Sequence, residues 1–100
     1  MYYFGRGAPK DYAEAVKWWR KPADQGNAGA QYFLGLMYDY GEGVPVDLVM
    51  AYKWMNLARS AGYEDAVETL DRLSNEMTRE QIAEAQKVSR EWYEAHQAKE

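Results

Sequence analysis

The chain has no cysteine, which excludes disulfides and thiolate metal sites. It also has no uninterrupted apolar stretch near the roughly 20 residues that a helix needs to cross a bilayer. Basic runs are missing too, and the net charge is −4. That balance argues against a nucleic-acid footprint and against a polybasic membrane patch. The opening Met1-Tyr2-Tyr3-Phe4-Gly5-Arg6-Gly7 lacks a basic leader ahead of an apolar segment, so it does not read as a signal peptide. A cytoplasmic location is expected on that ground, or a periplasmic one if a targeting segment has been trimmed. What is present is apolar mass: 47% of the residues are hydrophobic and 15% are aromatic. A chain of this size and composition is expected to fold as one small domain around one core.

The strongest signal is internal repetition. A shift of about 36 positions places Met1-Tyr2 on Met37-Tyr38, Gly5 on Gly41, Gly7 on Gly43, Pro9 on Pro45 and Asp11 on Asp47. The same shift aligns Ala15 with Ala51, Lys17 with Lys53, Trp18 with Trp54, Gly26 with Gly62, Ala30 with Ala66 and Leu34 with Leu70. Each shared residue has a structural task. Asp11 and Asp47 precede helical patterns and read as N-caps; Glu14 follows Asp11 at capping-box spacing. Gly5, Gly26, Gly41 and Gly62 follow helical runs, where a left-handed residue closes the last turn. Pro9 and Pro45 stiffen connections. Ala15, Ala30, Ala51 and Ala66 let helices approach closely. Trp18, Trp54, Tyr38 and Tyr2 recur at repeat positions and are assigned to the core.

These signals predict helices over 1–4 (the tail of one), 11–25, 27–40, 47–61, 64–75 and 79–95. Thr78 and Gln81 form a capping box for the last of them, and Ile82, Ala85, Val88 and Trp92 share one face of it. No stretch alternates with period two for long, so strands are not expected. Short connections imply antiparallel neighbours stacked in pairs.

The segment Ala28-Gly29-Ala30-Gln31-Tyr32-Phe33-Leu34-Gly35-Leu36-Met37-Tyr38, then Gly41-Glu42-Gly43-Val44-Pro45-Val46-Asp47, then Ala51 and Trp54, closely resembles the Sel-1-like repeat. That family is related to the tetratricopeptide repeats. The resemblance implies an all-α fold: a short, right-handed α/α superhelical solenoid of antiparallel helix pairs with a C-terminal capping helix. It divides the chain into a partial repeat at 1–26, a full repeat at 27–62, a degenerate repeat at 63–76 and a capping helix at 77–98. The closing helix is similar to one that often ends bacterial members. Three departures stand out. Pro22 replaces the family's alanine and is expected to bend or fray the end of its helix. Arg59 also replaces an alanine and is expected at the surface. After Leu70 the pattern stops, with Asp71 where Gly35 stood and Ser74 where Tyr38 stood.

The resemblance implies a non-enzymatic adaptor or scaffold that binds a protein partner. In related solenoids the first helix of each pair lines the concave face, which points to Tyr32, Leu36 and Asp39, with Glu68 and Arg72 at matching offsets in the next unit. Tyrosine and arginine are frequent in binding hot spots; the plainer reading makes all five ordinary surface residues. Two other roles stay open: an inhibitor or immunity protein for a cognate bacterial toxin or enzyme, and a small-ligand protein or enzyme of the cell envelope. At the N-terminal end the leading helix of the first unit is expected to be mostly missing, the alternative being that the chain is a truncated piece of a longer array. Tyr12, Val16 and Trp19 are therefore expected to be partly bare and open to self-association into a homo-oligomer.

No catalytic constellation emerges. His96 is the single histidine, and near the chain end it reads as a solvated surface residue, since a general base needs a positioned partner. Ser60, Ser74 and Ser89 have no histidine at a suggestive spacing. Gly41-Glu42-Gly43 carries no following lysine, and its glutamate would repel phosphate. Glu64, Asp65 and Glu68 suit a helix start without a metal, and no calcium loop is present. No enzyme activity, cofactor or metal is expected.

Overall fold

The structure, a computed structural model, describes residues 12–97. The expected helix tail at 1–4, the core assignment of Tyr2, the turn residues Gly5, Gly7 and Pro9, and the Asp11 cap all lie outside them. Among the described residues there are five helices and no strand: α1 (Tyr12–Asp24), α2 (Ala28–Tyr40), α3 (Leu48–Ser60), α4 (Asp65–Glu76) and α5 (Arg79–Gln97). The chain is an all-α repeat solenoid. α1 packs on α2, α2 on α3, and α3 in turn on α4 and α5.

The helix ends follow from local chemistry. Asn27 and Asp47 cap α2 and α3, their side-chain oxygens accepting from the Ala30 and Met50 N–H groups. At α5 the capping box closes in both directions: the Thr78 N–H donates to Gln81 Oε1 at 2.9 Å and the Gln81 N–H to Thr78 Oγ1 at 3.0 Å. α4 starts differently. Glu64 is helical and makes no side-chain cap; backbone bonds from Ala66 to Tyr63 and from Val67 to Glu64 close that turn instead.

Three helix ends share one device. The N–H groups of Asn27, Glu42 and Tyr63 reach back to the carbonyls of Pro22, Met37 and Ala58, with left-handed Gly26, Gly41 and Gly62 in between. This explains why Pro22 does not fray α1 as expected. The closure needs the carbonyl of that position, which proline keeps, and not its N–H. The turn stays shut, with Ala23 fully buried.

The core runs along the α2–α3 pair. Ala30, Leu34, Met37, Ala51, Trp54, Met55, Leu57 and Ala58 are all at most 2% exposed. Trp18, expected in the core, is 70% exposed. Its repeat equivalent Trp54 is buried because α5 lies over it, the Trp92 ring meeting it edge-on at 6.4 Å between centroids. No described helix covers Trp18 in that way. Arg59 is exposed, as expected.

Gly35 and Gly29 lie in the same helix with opposite surroundings. A Cβ on Gly35 would meet Met55 Cε at 2.9 Å and the Ala51 carbonyl at 3.3 Å, whereas on Gly29 it would meet only Asn27 Oδ1 at 3.5 Å. Gly35→Leu is expected to cost about 1–3 kcal/mol by overpacking. Gly29→Ala is expected to gain about 0.5–1 kcal/mol through helix propensity. Urea denaturation of the two variants beside the wild type checks both signs.

Candidate interaction surfaces

Two surfaces carry side chains suited to recognition. The first lies across α2 and α4. Tyr32 is half-buried, its ring 4.6 Å from that of Tyr63 and 5.9 Å from that of Phe33. Burial pushes its hydroxyl above the ordinary value of 10.0, opposed by a side-chain hydrogen bond with Thr69. Leu36 is half-buried against the core. Glu68 is exposed. Arg72 pairs with Asp39 across the two helices and also approaches Glu76 Oε2 at 3.6 Å. The hydrogen bond to Asp39 raises the Arg72 pKa further, so the guanidinium stays charged.

Of the five residues that the sequence singled out here, Asp39 and Arg72 therefore serve each other first. The Asp39 side chain is only 5% exposed and Arg72 is 42% exposed. The pair fixes α4 against α2, and Tyr32 is held by Tyr63 and Thr69. Leu36 packs against the core, and Glu68 and Arg72 are the exposed members.

The self-association set divides. Val16 is 6% exposed and belongs to the core cluster, which corrects the expectation that it is bare. Tyr12 and Trp19 are half-buried, the Trp19 ring lying 5.2 Å from that of Phe33. α1 turns Val16 and Ala23 inward and leaves Trp18 as its exposed apolar residue.

The second surface was not anticipated. A groove of about 1040 Å³ lies between α1 and the C-terminal end of α5, with Gly43 and Val44 of the α2–α3 connection at its edge. Lys17, Arg20, Lys21 and Asp24 line it from α1, and Trp92 and His96 from α5. His96 is not a solvated end residue. Its ring stacks on Trp92 at 3.8 Å and its Nδ1 donates to the Trp92 carbonyl at 2.7 Å. Trp92 Nε1 donates to Asp24 Oδ1 at 3.2 Å, and the Arg20 guanidinium to the Tyr38 hydroxyl at 3.0 Å. Nearby, Lys53 lies over the Trp54 ring at 4.5 Å. Burial lowers its pKa, while Asp24 opposes that shift and Arg20 adds to it. The sequence did hold a trace of this surface, since Lys17, Arg20 and Lys21 share one face at helical spacing. Nothing in it said that α5 would cross to face them.

Among the described residues no group of three or more His, Cys, Asp or Glu is arranged to hold a metal ion. No described helix is long and apolar enough to cross a membrane. Ser89 donates to the Ala85 carbonyl at 2.8 Å inside its own helix.

The Sel1 repeat model matches residues 1–27 and 28–63. Among solved structures, the chain is similar to a protective antigen present in uropathogenic Escherichia coli strains, whose crystal structure displays an SLR fold. The TM-score is 0.80 at 33% identity, over 84% of this chain and 18% of the other. No curated protein matches.

The ion pair makes a measurable claim. Arg72→Ala leaves a nearly buried carboxylate without its guanidinium and is expected to cost about 1–3 kcal/mol. Glu68→Ala, on the exposed flank, is expected to stay within about 0.5 kcal/mol of wild type. Chemical denaturation at neutral pH checks the contrast.

Proposed function

The chain belongs to the Sel1 repeat family, and from that premise we propose that it is a non-enzymatic adaptor that binds a protein partner through the face shared by α2 and α4. Sel1 repeats generally bind protein partners, and their fold is typically a scaffold without catalysis. The observation that carries the reading is the fixed juxtaposition of two helices from successive units. The Asp39–Arg72 pair joins α2 to α4, and Tyr32 rests on Tyr63, which leads into α4. Ordering cost is then met in folding, so little is left to lose on binding. Leu36 and the exposed part of Tyr32 supply apolar area, while Glu68 and the outer edge of Arg72 select by charge. One short face of this kind binds weakly unless further contacts add avidity.

A Leu36→Ala/Glu68→Arg variant keeps the Asp39–Arg72 pair and alters only this face. The expected result of an affinity pull-down from source lysate is a protein captured by the wild type and lost by the variant, with helical content unchanged by circular dichroism. Equal capture by both would remove the α2–α4 face as the binding site.

A further inference from the structure

The groove between α1 and α5 departs from the charge of the rest of the molecule. The chain carries a net −4, yet Lys17, Arg20 and Lys21 line this groove against a single carboxylate, Asp24. That carboxylate already accepts from Trp92 Nε1, and its field also acts on Lys53. Arg20 is held in place by the Tyr38 hydroxyl and has further N–H groups to offer. Lys17 and Lys21 are exposed. The apolar part of the lining comes from Val44 and the Trp92 ring, since Val16 is 6% exposed and adds little surface.

The dimensions favour an extended chain over a compact ligand. The volume of about 1040 Å³ lies slightly above the roughly 300–1,000 Å³ usual for small-molecule sites. The α1 lining runs from Ala13 to Asp24, which at a rise of about 1.5 Å per residue is roughly 16 Å. An extended peptide rises about 3.3 Å per residue, so five or so residues fit along it. Lys17 and Lys21 stand at i and i+4, with about 5–6 Å between their Cβ atoms. Side chains two apart on an extended strand point the same way, about 6.6 Å from each other. The two spacings match within the reach of a lysine.

We propose that this groove binds an extended acidic segment of a partner protein, with carboxylates two residues apart facing Lys17 and Lys21 and an apolar side chain lying on Val44 and Trp92. The proposal rests on the reading of the chain as a protein-binding module and adds to it a second surface that does not include Glu68. Exposed ion pairs contribute only about 0.2–1 kcal/mol each. The apolar contact therefore supplies most of the affinity, and the lysines choose acidic sequences and speed the encounter.

The test uses the full chain and a set of short fluorescein-labelled peptides in which Asp or Glu at alternate positions flank one Leu, Phe or Tyr. Binding is read by fluorescence anisotropy. Saturable binding is expected, weakened by raising the salt as charge attraction is screened. It is expected to be lost for peptides with Lys in place of the acids. Lys17→Glu/Lys21→Glu changes two exposed side chains and is expected to weaken binding at least about tenfold with the helical spectrum unchanged. Leu36→Ala/Glu68→Arg is expected to bind these peptides as the wild type does, which separates this groove from the α2–α4 face. Absence of binding by every acidic peptide would overturn the proposal, as would equal binding by the charge-reversed variant. Displacement of the peptide by an equal concentration of inorganic phosphate would also overturn it, since the groove would then be a small-anion site. If the peptides fail while lysate capture still depends on Leu36 and Glu68, the groove proposal falls and the adaptor reading stands.

Discussion

The close approach of α2 to α3 at Gly35 sets the position of everything else. With no side chain at Gly35, Met55 and the Ala51 carbonyl come within the distance a Cβ would occupy. Ala30, Ala51 and Ala58 extend the same economy of volume along the pair, each with no exposed surface. Two helices that approach this closely interlock tightly enough for one arrangement to win over sliding alternatives. α3 then serves as the shared support. It buries Ala51, Trp54, Met55, Leu57 and Ala58 and carries α4 and α5 as well as α2.

Both candidate surfaces are by-products of that support. α4 meets α2 through Asp39 and Arg72 because α3 holds them side by side. α5 covers Trp54 on α3 and runs on, so that its last turns face α1. Trp92 does two jobs there: its ring packs on Trp54, and its N–H reaches Asp24 at the end of α1. That is the usual use of a half-buried tryptophan, apolar in body and polar at one edge. α5 thus covers α3 and also forms one wall of the groove against α1.

Local chemistry was legible in the sequence, and so was the repeat. The left-handed Gly26, Gly41 and Gly62, the Asp47 cap and the Thr78–Gln81 box each depend on a few neighbouring residues, and the structure places them as the spacing predicts. Trp18 was misread because burial depends on what lies over a residue. The shift that equates it with Trp54 carries no information about α5. Pro22 was misread for a different reason: its missing N–H drew attention, while the turn closes on its carbonyl. Asp39 and Arg72 were singled out for a partner, and the structure pairs them with each other. Their mutual pairing, across 33 positions, could not be read from offsets within single helices. The groove was missed since its walls come from opposite ends of the described chain.

Native-state hydrogen exchange tests the central role of the α2–α3 pair most directly. Amides in the buried middle of α2 and α3, around Leu34 to Tyr38 and Trp54 to Ala58, should be the slowest, opening only with global unfolding. Those of α1 and of the later turns of α5 should exchange sooner, through smaller openings that leave the pair intact. If α1 or α5 proves as protected as α3, or if α3 exchanges ahead of them, the pair is not the support on which the other helices depend.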